Sequence, residues 1–416
     1  MKIALVAEHV GADDVQAFGV RAHVSWLAAG LSRRGHEVVV HTRRHDPAAP
    51  DVVDVRAGYR VVHCPDHAEG STLGGFAEFL TDRLREQRPD VVHAHHWTSG
   101  LASVSAVDGT DVPVVQSFHS LGTVARRFGR WVPTSAERMN LERLVGRRVA
   151  HVVAASRAEL RELAAMGVHR GRVTVVPHAV DTRRFRPGAA TAPRRLAKRV
   201  VAAGALLPYG GLGDVVTALS ALPDTELVVV GRPSPVMGPD PTGWLRAHAE
   251  ACGVADRVRL AVPAPQASMP DLLRSADVVV CAPWDGLRYT VAVEAMACGT
   301  PVVATEVGGL AETVVDGVTG TLVPRRDARA LASVLRGLLA DDARRFAYGI
   351  AAVDRAESCY SEDLALSDVE RVHHLVAGAT PPVHAVKDRP WSTPVEVALP
   401  VMRATSLVEV PARKGG

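Results

Sequence analysis

The sequence has 416 residues, of which 47% are hydrophobic and 22% are charged, and this balance is typical of a globular protein with enough apolar material for two domains. The formal net charge of +3 is too small to indicate a nucleic-acid-binding surface. No apolar run approaches the roughly 20 residues that a membrane-spanning helix needs. Composition therefore excludes a membrane span and a nucleic-acid partner.

The N-terminus and the cysteines bear on the compartment. The first residues lack the long apolar stretch and the small-residue cleavage site of a signal peptide. The cysteines are scattered and odd in number, which argues against a disulfide framework. They are Cys64, Cys252, Cys281, Cys298 and Cys359. We therefore expect free thiols and a cytoplasmic protein.

Short apolar runs alternate with helical patterns in the first half of the chain. Residues 20–34 read as a helix, because Val24, Leu27, Ala28 and Leu31 fall on one face. Gly35 follows as its expected C-terminal cap. The predicted strands are residues 3–6, 37–40, 90–93, 112–116 and 151–154. This alternation predicts a parallel, doubly wound sheet.

A second series of strands and helices follows a Pro/Ala/Thr-rich stretch, which we interpret as a linker near residues 186–196. The second set of predicted strands comprises residues 199–203, 226–230, 258–260, 277–281 and 301–304. The periodicity fails after residue 378, so residues 379–416 are interpreted as a Pro-containing tail, with a strand near 395–399.

Two doubly wound domains in tandem form a cleft at the carboxyl ends of their strands, where loops diverge and helix N-termini point inward. A two-domain dehydrogenase has the same outline. However, no G-x-G-x-x-G motif follows the first predicted strand of either domain, which counts against a nicotinamide enzyme.

Several motifs in a fixed order carry a family resemblance. The chain resembles the family 4 GT-B glycosyltransferases, in particular the mycothiol-type and sucrose-phosphate synthase-like members. The similar segments are residues 89–100 (PDVVHAHHWTSG), 116–122 (QSFHSLG), 175–181 (VVPHAVD), 294–303 (EAMACGTPVV), 308–312 (GGLAE) and 316–320 (DGVTG). The resemblance covers about residues 1–375.

The resemblance implies a GT-B fold, in which two Rossmann-like doubly wound parallel-sheet domains face a central cleft. It assigns residues 1–186 to the acceptor domain and 197–360 to the donor domain, and we expect a helix over 361–378 that packs back toward the first domain. It implies transfer of a sugar from a nucleoside diphosphate sugar to a small-molecule acceptor, usually with retention of anomeric configuration. No cofactor and no metal are implied, and a homodimer is left open.

The donor site implied by the resemblance centres on Glu294, whose family counterpart holds the ribose hydroxyls. Thr290 and Val291 begin the same helix, which supplies N–H groups and a positive dipole end to a diphosphate. Gly19 lies where the family has a glycine close to the donor phosphates. The alternative for Glu294 is a solvated helix carboxylate, which its apolar neighbours disfavour.

On the acceptor side, His119 matches the family histidine that contacts the transferring sugar. The alternative is a buried histidine whose hydrogen bonds are satisfied within the core. His96 and Trp97, at the end of a predicted strand, and Arg126 are candidates for contacts with the acceptor. The His93, His95 and His96 trio also suggests a metal cluster, but strand alternation places His96 on the opposite face, so we expect no metal site there.

The chain departs from the family around the donor phosphates. Phe18 replaces one glycine of a family pair, and Ala205 and Gly210 stand where the family has an arginine and a lysine. Gly286 replaces a glutamate eight residues before Glu294. Since hydrogen bonds to charged groups contribute roughly 1.5–3 kcal/mol each, losing both cations costs on the order of 3–6 kcal/mol of leaving-group stabilisation.

Replacement groups are available nearby. Arg288 precedes the helix that contains Glu294, and Arg232 follows a predicted strand, so each is a candidate phosphate ligand. The alternative for both is a surface arginine. Asp285 is a candidate substitute for the missing glutamate.

The sequence thus favours an active glycosyltransferase with a re-formed donor pocket, in specialised-metabolite (antibiotic) biosynthesis. A thiol acceptor, as in lincomycin-type sugar–thiol coupling, is one option. Two alternatives stay open. One is a catalytically inactive homologue that binds an active transferase, and the other is a pseudo-glycosyl coupling enzyme.

Overall fold

The computed structural model describes residues 1–8, 15–44, 46–65, 73–127, 134–190, 192–232, 240–262, 266–285 and 290–378. For residues 15–19, 232 and 266 it describes the backbone alone. The tail at 379–416, with its predicted strand at 395–399, lies outside these ranges. So do Gly286 and Arg288.

The first domain is built on a sheet of eight described strands in the order β3-β4-β2-β1-β5-β6-β7-β8. Its elements are β1 (Lys2–Val6), α1 (Val15–Arg33), β2 (Glu37–Arg43), β3 (Val52–Asp54), β4 (Arg60–Cys64), α2 (Leu73–Gln87), β5 (Val91–His95), α3 (Trp97–Ala106), β6 (Val114–Ser117), α4 (Gly122–Ala125), α5 (Ala136–Arg148), β7 (His151–Ala154), α6 (Arg157–Ala165) and β8 (Val173–Val175). All described pairings are parallel except β3 with β4 at the edge.

The second domain has a sheet of six described strands, all parallel, in the order β11-β10-β9-β12-β13-β14. Its elements are β9 (Lys198–Ala205), α7 (Leu212–Leu219), β10 (Thr225–Arg232), α8 (Gly243–Ala251), β11 (Val258–Ala261), α9 (Met269–Arg274), β12 (Val278–Cys281), α10 (Thr290–Ala297), β13 (Val302–Thr305), α11 (Leu310–Thr313), β14 (Gly320–Val323), α12 (Ala328–Ala340) and α13 (Asp342–Tyr360). The last described helix is α14 (Glu362–Val376).

In both sheets the strand order reverses between two inner strands. The strand order runs outward from β1 on one side and from β5 on the other, and β9 and β12 have the same relation in the second sheet. This is the arrangement of doubly wound folds, in which ligands bind outside the carboxyl ends of the strands at the reversal. The predicted α/β class is therefore confirmed, with one antiparallel edge strand that the sequence did not indicate.

The core lies on both faces of each sheet. Val24, Leu27, Ala28 and Leu31 of α1 are buried against the first sheet, as the helical periodicity predicted. Gly35 has a φ of 86°, a left-handed conformation that ends the helix region. All five cysteines are free. Among the described helices, none combines the length and apolar character that crossing a bilayer requires.

The C-terminal helix α14 packs against the first domain rather than the second. Leu366 and Val369 join the core that contains α1. A Cβ atom on Gly30 would lie 2.4 Å from the Leu366 side chain, so the two helices approach closely at this glycine. The chain therefore leaves the first domain before β9 and returns to it after α13.

A buried carboxylate fixes this contact. Glu370 accepts hydrogen bonds from Arg34 Nη1 at 2.8 Å and from His36 Nε2 at 2.7 Å. Burial alone raises the pKa of Glu370, but the hydrogen bonds from His36 and Arg34 outweigh it, and the pKa lies below its ordinary value. The carboxylate is thus held in its charged form between α14 and the end of α1.

We expect Glu370→Gln to lower the free energy of unfolding by about 1–3 kcal/mol, because it leaves the Arg34 guanidinium without its charged acceptor. Glu357→Gln, on an exposed position of α13, is the matched control and should change stability by less than about 0.5 kcal/mol. Urea denaturation at neutral pH measures both. Equal stabilities would show that the ion pair contributes nothing to docking.

Candidate active site in the cleft

His119 lies just beyond the carboxyl end of β6, where the chain turns toward α4. Its φ is 63°, a left-handed conformation that non-glycine residues rarely adopt. Such strain is concentrated at functional sites, where the surrounding structure holds it in place. His96, which follows β5, also has a positive φ, of 76°. Two adjacent parallel strands are therefore each followed by a histidine with a strained backbone, at the same edge of the sheet.

A row of imidazoles connects α14 to His119. His373 Nε2 lies 3.0 Å from His93 Nδ1, and His93 Nε2 lies 3.0 Å from Ser117 Oγ. The ring of His93 stacks on that of His95, with centroids 4.4 Å apart. His95 Nδ1 in turn lies 2.9 Å from His119 Nε2. The buried rings thus fix the orientation of the half-buried His119.

Burial keeps the inner rings of this row neutral. It lowers the pKa of His93 from 6.5 to about 3, with a smaller contribution from His23. Burial also lowers the pKa of His373 well below its ordinary value, and His93 adds to this effect. At neutral pH both rings are therefore uncharged hydrogen-bonding groups.

The ring of His119 faces a pocket in the first domain. Two further imidazoles, from α1 and from the segment after β8, share it with a carboxylate from α6. The lining residues are His23, Ser117, His119, Val153, Ala155, Glu159, Val176 and His178. Glu159 is buried and accepts a hydrogen bond from the Ala155 backbone N–H at 2.7 Å. His23 belongs to none of the motifs quoted from the sequence, and His178 lies in the similar segment 175–181 without a chemical role having been assigned to it.

The three acceptor candidates lie near the carboxyl ends of β5 and β6. His96 precedes α3 and its Nδ1 lies 3.2 Å from Thr98 Oγ1. Trp97 begins α3 and is partly buried against the hydrophobic core of the first domain. Arg126 follows α4 and is exposed. Their contacts with an acceptor stay predictions.

The neighbouring Arg127 joins the two domains, and sequence reasoning missed it. It donates to Glu162 of α6 and, at 3.0 Å, to Asp285 Oδ2 of the second domain. Partial burial opposes protonation, but the hydrogen bonds to Glu162 and Asp285 raise the pKa of Arg127 above its ordinary value. Asp285, a candidate for binding the sugar donor, thus accepts a hydrogen bond from the first domain.

A second contact between the domains lies at the N-terminus of α6. Glu312 of α11 accepts hydrogen bonds from the backbone N–H groups of Arg157 at 2.8 Å and Ala158 at 2.7 Å. The first N–H groups of a helix lack partners within the helix, and a carboxylate is stabilised by the helix dipole there. The carboxylate of the second domain therefore caps the helix that carries Glu159 into the pocket.

In the second domain, α10 begins at the exposed Thr290, followed by the half-buried Val291. Glu294 is half-buried one turn into the helix. Burial raises the pKa of the Cys281 thiol to about 12, and the Glu294 carboxylate acts in the same direction. Since Cys281 ends β12, Glu294 lies near the strand reversal of the second sheet.

The loop after β9 has no room for the lysine that the resemblance leads one to expect. A Cβ atom on Gly210 would lie 2.0 Å from the Ala205 carbonyl oxygen, and one on Gly211 would lie 1.7 Å from that of Ala282. Leu206 and Leu207 are buried in the same loop. Any side chain at residue 210 therefore requires the backbone to move.

Arg232 is the cross-strand neighbour of Ala205. The register of β9 and β10 pairs these two residues at the carboxyl ends of their strands, and neighbouring strands lie about 4.8 Å apart. The backbone of Arg232 thus lies beside Ala205, the position at which the resemblance implies an arginine. Gly19 lies within α1, and its surroundings, like those of Phe18, are outside the described residues. Arg288 and Gly286 also lie outside them.

The fold and this cleft define the class of protein. Two doubly wound domains, joined by a crossing near residue 190 and closed by a C-terminal helix that returns to the first domain, are the architecture of GT-B glycosyltransferases. Sucrose-phosphate synthase from Thermosynechococcus elongatus has a similar structure, with a TM-score of 0.81 and 25% sequence identity over 91% of this chain and all of that one. The HepE protein of Anabaena, solved in complex with UDP-glucose, superposes with a TM-score of 0.70 at 18% identity, covering 91% of this chain and 98% of its own.

The chain belongs to glycosyltransferase family 4. The model of Glycosyltransferase Family 4 matches residues 19–184, and that of Glycosyl transferases group 1 matches residues 197–341. A D-inositol 3-phosphate glycosyltransferase of Xylanimonas cellulosilytica is 36% identical, with 83% of this chain and 89% of the relative covered. One from Kineococcus radiotolerans is 34% identical, with 86% and 91% covered. The protein is therefore a glycosyltransferase.

We expect the buried histidines to make the stability of the protein depend on pH. Because the pKa of His93 is lowered from 6.5 to about 3, the unfolded chain binds more protons between these values, and stability is lost as the pH falls below about 6.5. His93→Gln should reduce the slope of the unfolding free energy against pH, between about pH 6 and 4, by up to about 1.4 kcal/mol per unit.

Urea denaturation at a series of pH values measures this slope, which is independent of any constant loss of stability in the variant. His169→Gln, at an exposed position, is the control and should keep the slope of the wild type. A wild-type slope in His93→Gln would mean that His93 is already protonated in the folded protein.

Proposed function

We propose that the protein transfers a sugar from a nucleoside diphosphate sugar to a small-molecule acceptor, with His119 at the reacting sugar. The observation that carries this proposal is the placement of His119. Its ring is held by His95, in a strained backbone conformation, over a pocket at the carboxyl ends of the strands. A group that must meet the transferring sugar needs this fixed orientation, because misplacement by about 1 Å costs up to about a hundredfold in rate.

Donor binding is proposed to centre on α10. Its N-terminus offers backbone N–H groups and about half a positive elementary charge to the diphosphate. Glu294, one turn in, is proposed to accept hydrogen bonds from the ribose hydroxyls. Thr290 and Val291 lie at the start of the helix, where the phosphates would approach, and Gly19 is the proposed close contact from the first domain. We propose that transfer needs no metal ion.

The lost cations are proposed to be replaced by Arg232 and Arg288. A diphosphate in a partly dry cleft needs compensating charge. Since Gly210 cannot carry a side chain without backbone movement, the replacement must come from another segment. The register that pairs Arg232 with Ala205 supports this residue, and the position of Arg288 just before α10 in the sequence supports the other.

The residues beside His119 bear on the chemical class of the acceptor. The curated relatives named above act on D-inositol 3-phosphate, whereas the pocket beside His119 is lined by imidazoles and the Glu159 carboxylate. The Glu159 carboxylate among these imidazoles favours an acceptor with hydroxyl or amine donors over a phosphorylated one. A role in specialised-metabolite biosynthesis, a thiol acceptor, a cytoplasmic location and a homodimer remain parts of the proposal that rest on the sequence.

A second candidate function follows from the tightly packed loop after β9, which has no room for a cationic side chain at residue 210. If no cation approaches the phosphates, the protein binds a partner transferase without turning over a donor, or couples an unusual pseudo-glycosyl donor. A thermal-shift panel of UDP-, GDP-, ADP- and dTDP-sugars separates these functions, since a ligand of the folded state raises its stability. Stabilisation by one sugar nucleotide, followed by its turnover with an acceptor, supports the proposed transfer. No binding by any of them favours the inactive homologue.

We expect Glu294→Ala to weaken binding of the best sugar nucleotide from this panel by at least about tenfold, or roughly 1.4 kcal/mol. The substitution removes the carboxylate that is proposed to accept hydrogen bonds from the ribose hydroxyls. Isothermal titration measures the affinity, and Glu357→Ala, on an exposed position of α13, is the control. Unchanged affinity in a folded Glu294→Ala protein removes this carboxylate from the donor site.

His119→Ala should lower kcat by about a hundredfold or more while changing the dissociation constant of the nucleotide less than about threefold. The reason is that the proposed contact is with the transferring group, whose charge develops in the transition state. Steady-state kinetics and nucleotide titration supply the two numbers, with His169→Ala as the control. Retained turnover would leave His119 with a structural role only.

Arg232→Ala and Arg288→Ala test the replacement of the lost cations. At least one of them should reduce kcat/KM by between about ten- and a hundredfold, the effect of one charge-assisted hydrogen bond. For a bidentate contact, the corresponding lysine variant should recover only part of the activity. Arg336→Ala, an exposed arginine of α12, is the control. Full turnover in both alanine variants contradicts the replacement.

A further inference from the structure

Three of the imidazoles beside the pocket come from different elements and converge on one point. His23 lies on α1, His95 ends β5 and His119 follows β6. One ring nitrogen from each lies within 4.8 Å of the other two. The ring centroids are 5.1 Å apart for His95 and His119, 5.2 Å for His23 and His119, and 5.6 Å for His23 and His95. The His93, His95 and His96 trio considered from the sequence is a different set.

The spacing of two of these nitrogens is close to that of ligands in a tetrahedral metal site. Zinc–imidazole bonds of 2.0–2.1 Å at tetrahedral angles separate ligand nitrogens by about 3.4 Å. His95 Nδ1 and His119 Nε2 are 2.9 Å apart, which is within roughly half an ångström of that value. A ring nitrogen of the half-buried His23 lies within 4.8 Å of ring nitrogens of His95 and His119, so closing the site requires the His23 side chain to move toward them.

The surroundings also suit a divalent cation. Among the described lining residues of the pocket there is no lysine or arginine, whereas Glu159 contributes a carboxylate. Metal-bound histidines are held in orientation by outer partners. His95 has such support, because it stacks on His93, which Ser117 and His373 hold by hydrogen bonds at 3.0 Å each.

We propose that His23, His95 and His119 bind one divalent transition-metal ion, and that zinc is the ion whose preferences they fit best. Neutral imidazole is the commonest protein ligand for such ions, and three protein ligands leave a fourth position for water or another ligand. The rival explanation is a hydrogen bond between the rings of His95 and His119, with no metal. A second grouping, His36, Glu370 and His374, is already engaged in the docking of α14 and serves as the control.

The test uses untagged full-length protein freed of metal by a chelator. Titration with Co²⁺ is followed by the visible absorption that tetrahedral cobalt acquires from nitrogen ligands, and Zn²⁺ is then added as competitor. We expect one Co²⁺ per chain and its displacement by Zn²⁺. His23→Phe and His119→Phe should each weaken Co²⁺ binding by more than about tenfold, since even outer-shell changes cost about 10–100-fold. His374→Phe should bind like the wild type.

Absence of a Co²⁺ signal in the wild type overturns the proposal in favour of the hydrogen-bonded pair. Loss of the signal in His374→Phe, with retention in His23→Phe and His119→Phe, overturns it in favour of the second grouping. Because the readout is binding, this result does not depend on the proposed function.

One consequence does rest on the proposed function. A metal at His119 would block its contact with the sugar, so stoichiometric Zn²⁺ should suppress turnover, and a chelator should restore it. Metal binding without any loss of turnover would support the metal site and contradict the role of His119. Turnover by a chain that binds no metal would contradict the metal site and agree with the proposed role of His119.

Discussion

The buried ring of His93 joins the returning C-terminal helix to the candidate active site. It contacts His373 of α14 on one side and Ser117 at the end of β6 on the other, and it stacks against His95. Because burial keeps it neutral, it can accept one hydrogen bond and donate another without a charge in the core. The position of His119 therefore depends on α14, although that helix follows the whole second domain in the sequence.

The proposed donor site is subject to a steric constraint in the loop after β9. The Ala205 carbonyl oxygen occupies the space that a side chain on Gly210 would need. The loop as packed therefore has no room for a side chain at residue 210, and the lysine that the resemblance leads one to expect there would require the backbone to move. Contacts between the domains, through Arg127 with Asp285 and through Glu312 with α6, bring other polar groups to the same cleft.

Local patterns predicted much of the fold, because a buried strand or helix face leaves a run or a period in the sequence. The strand at 151–154 was predicted with its observed bounds. The edge strand Val52–Asp54 and its neighbour Arg60–Cys64 were missed, since short, partly exposed strands leave little apolar signal. Arg127 was missed because its partner Asp285 is 158 residues away. His23 and His178 were missed for a similar reason, as only the fold brings them to His119.

In our proposal, this chain transfers sugar with a donor-phosphate site rebuilt from other cations. A crystal structure of the protein with the nucleoside diphosphate of its best donor tests it most directly. We expect the ribose hydroxyls on Glu294, the phosphates at the N-terminus of α10, and a guanidinium of Arg232 or Arg288 within hydrogen-bonding distance of a phosphate oxygen. A bound nucleotide whose phosphates meet no arginine, or an empty cleft at saturating nucleotide, would contradict it.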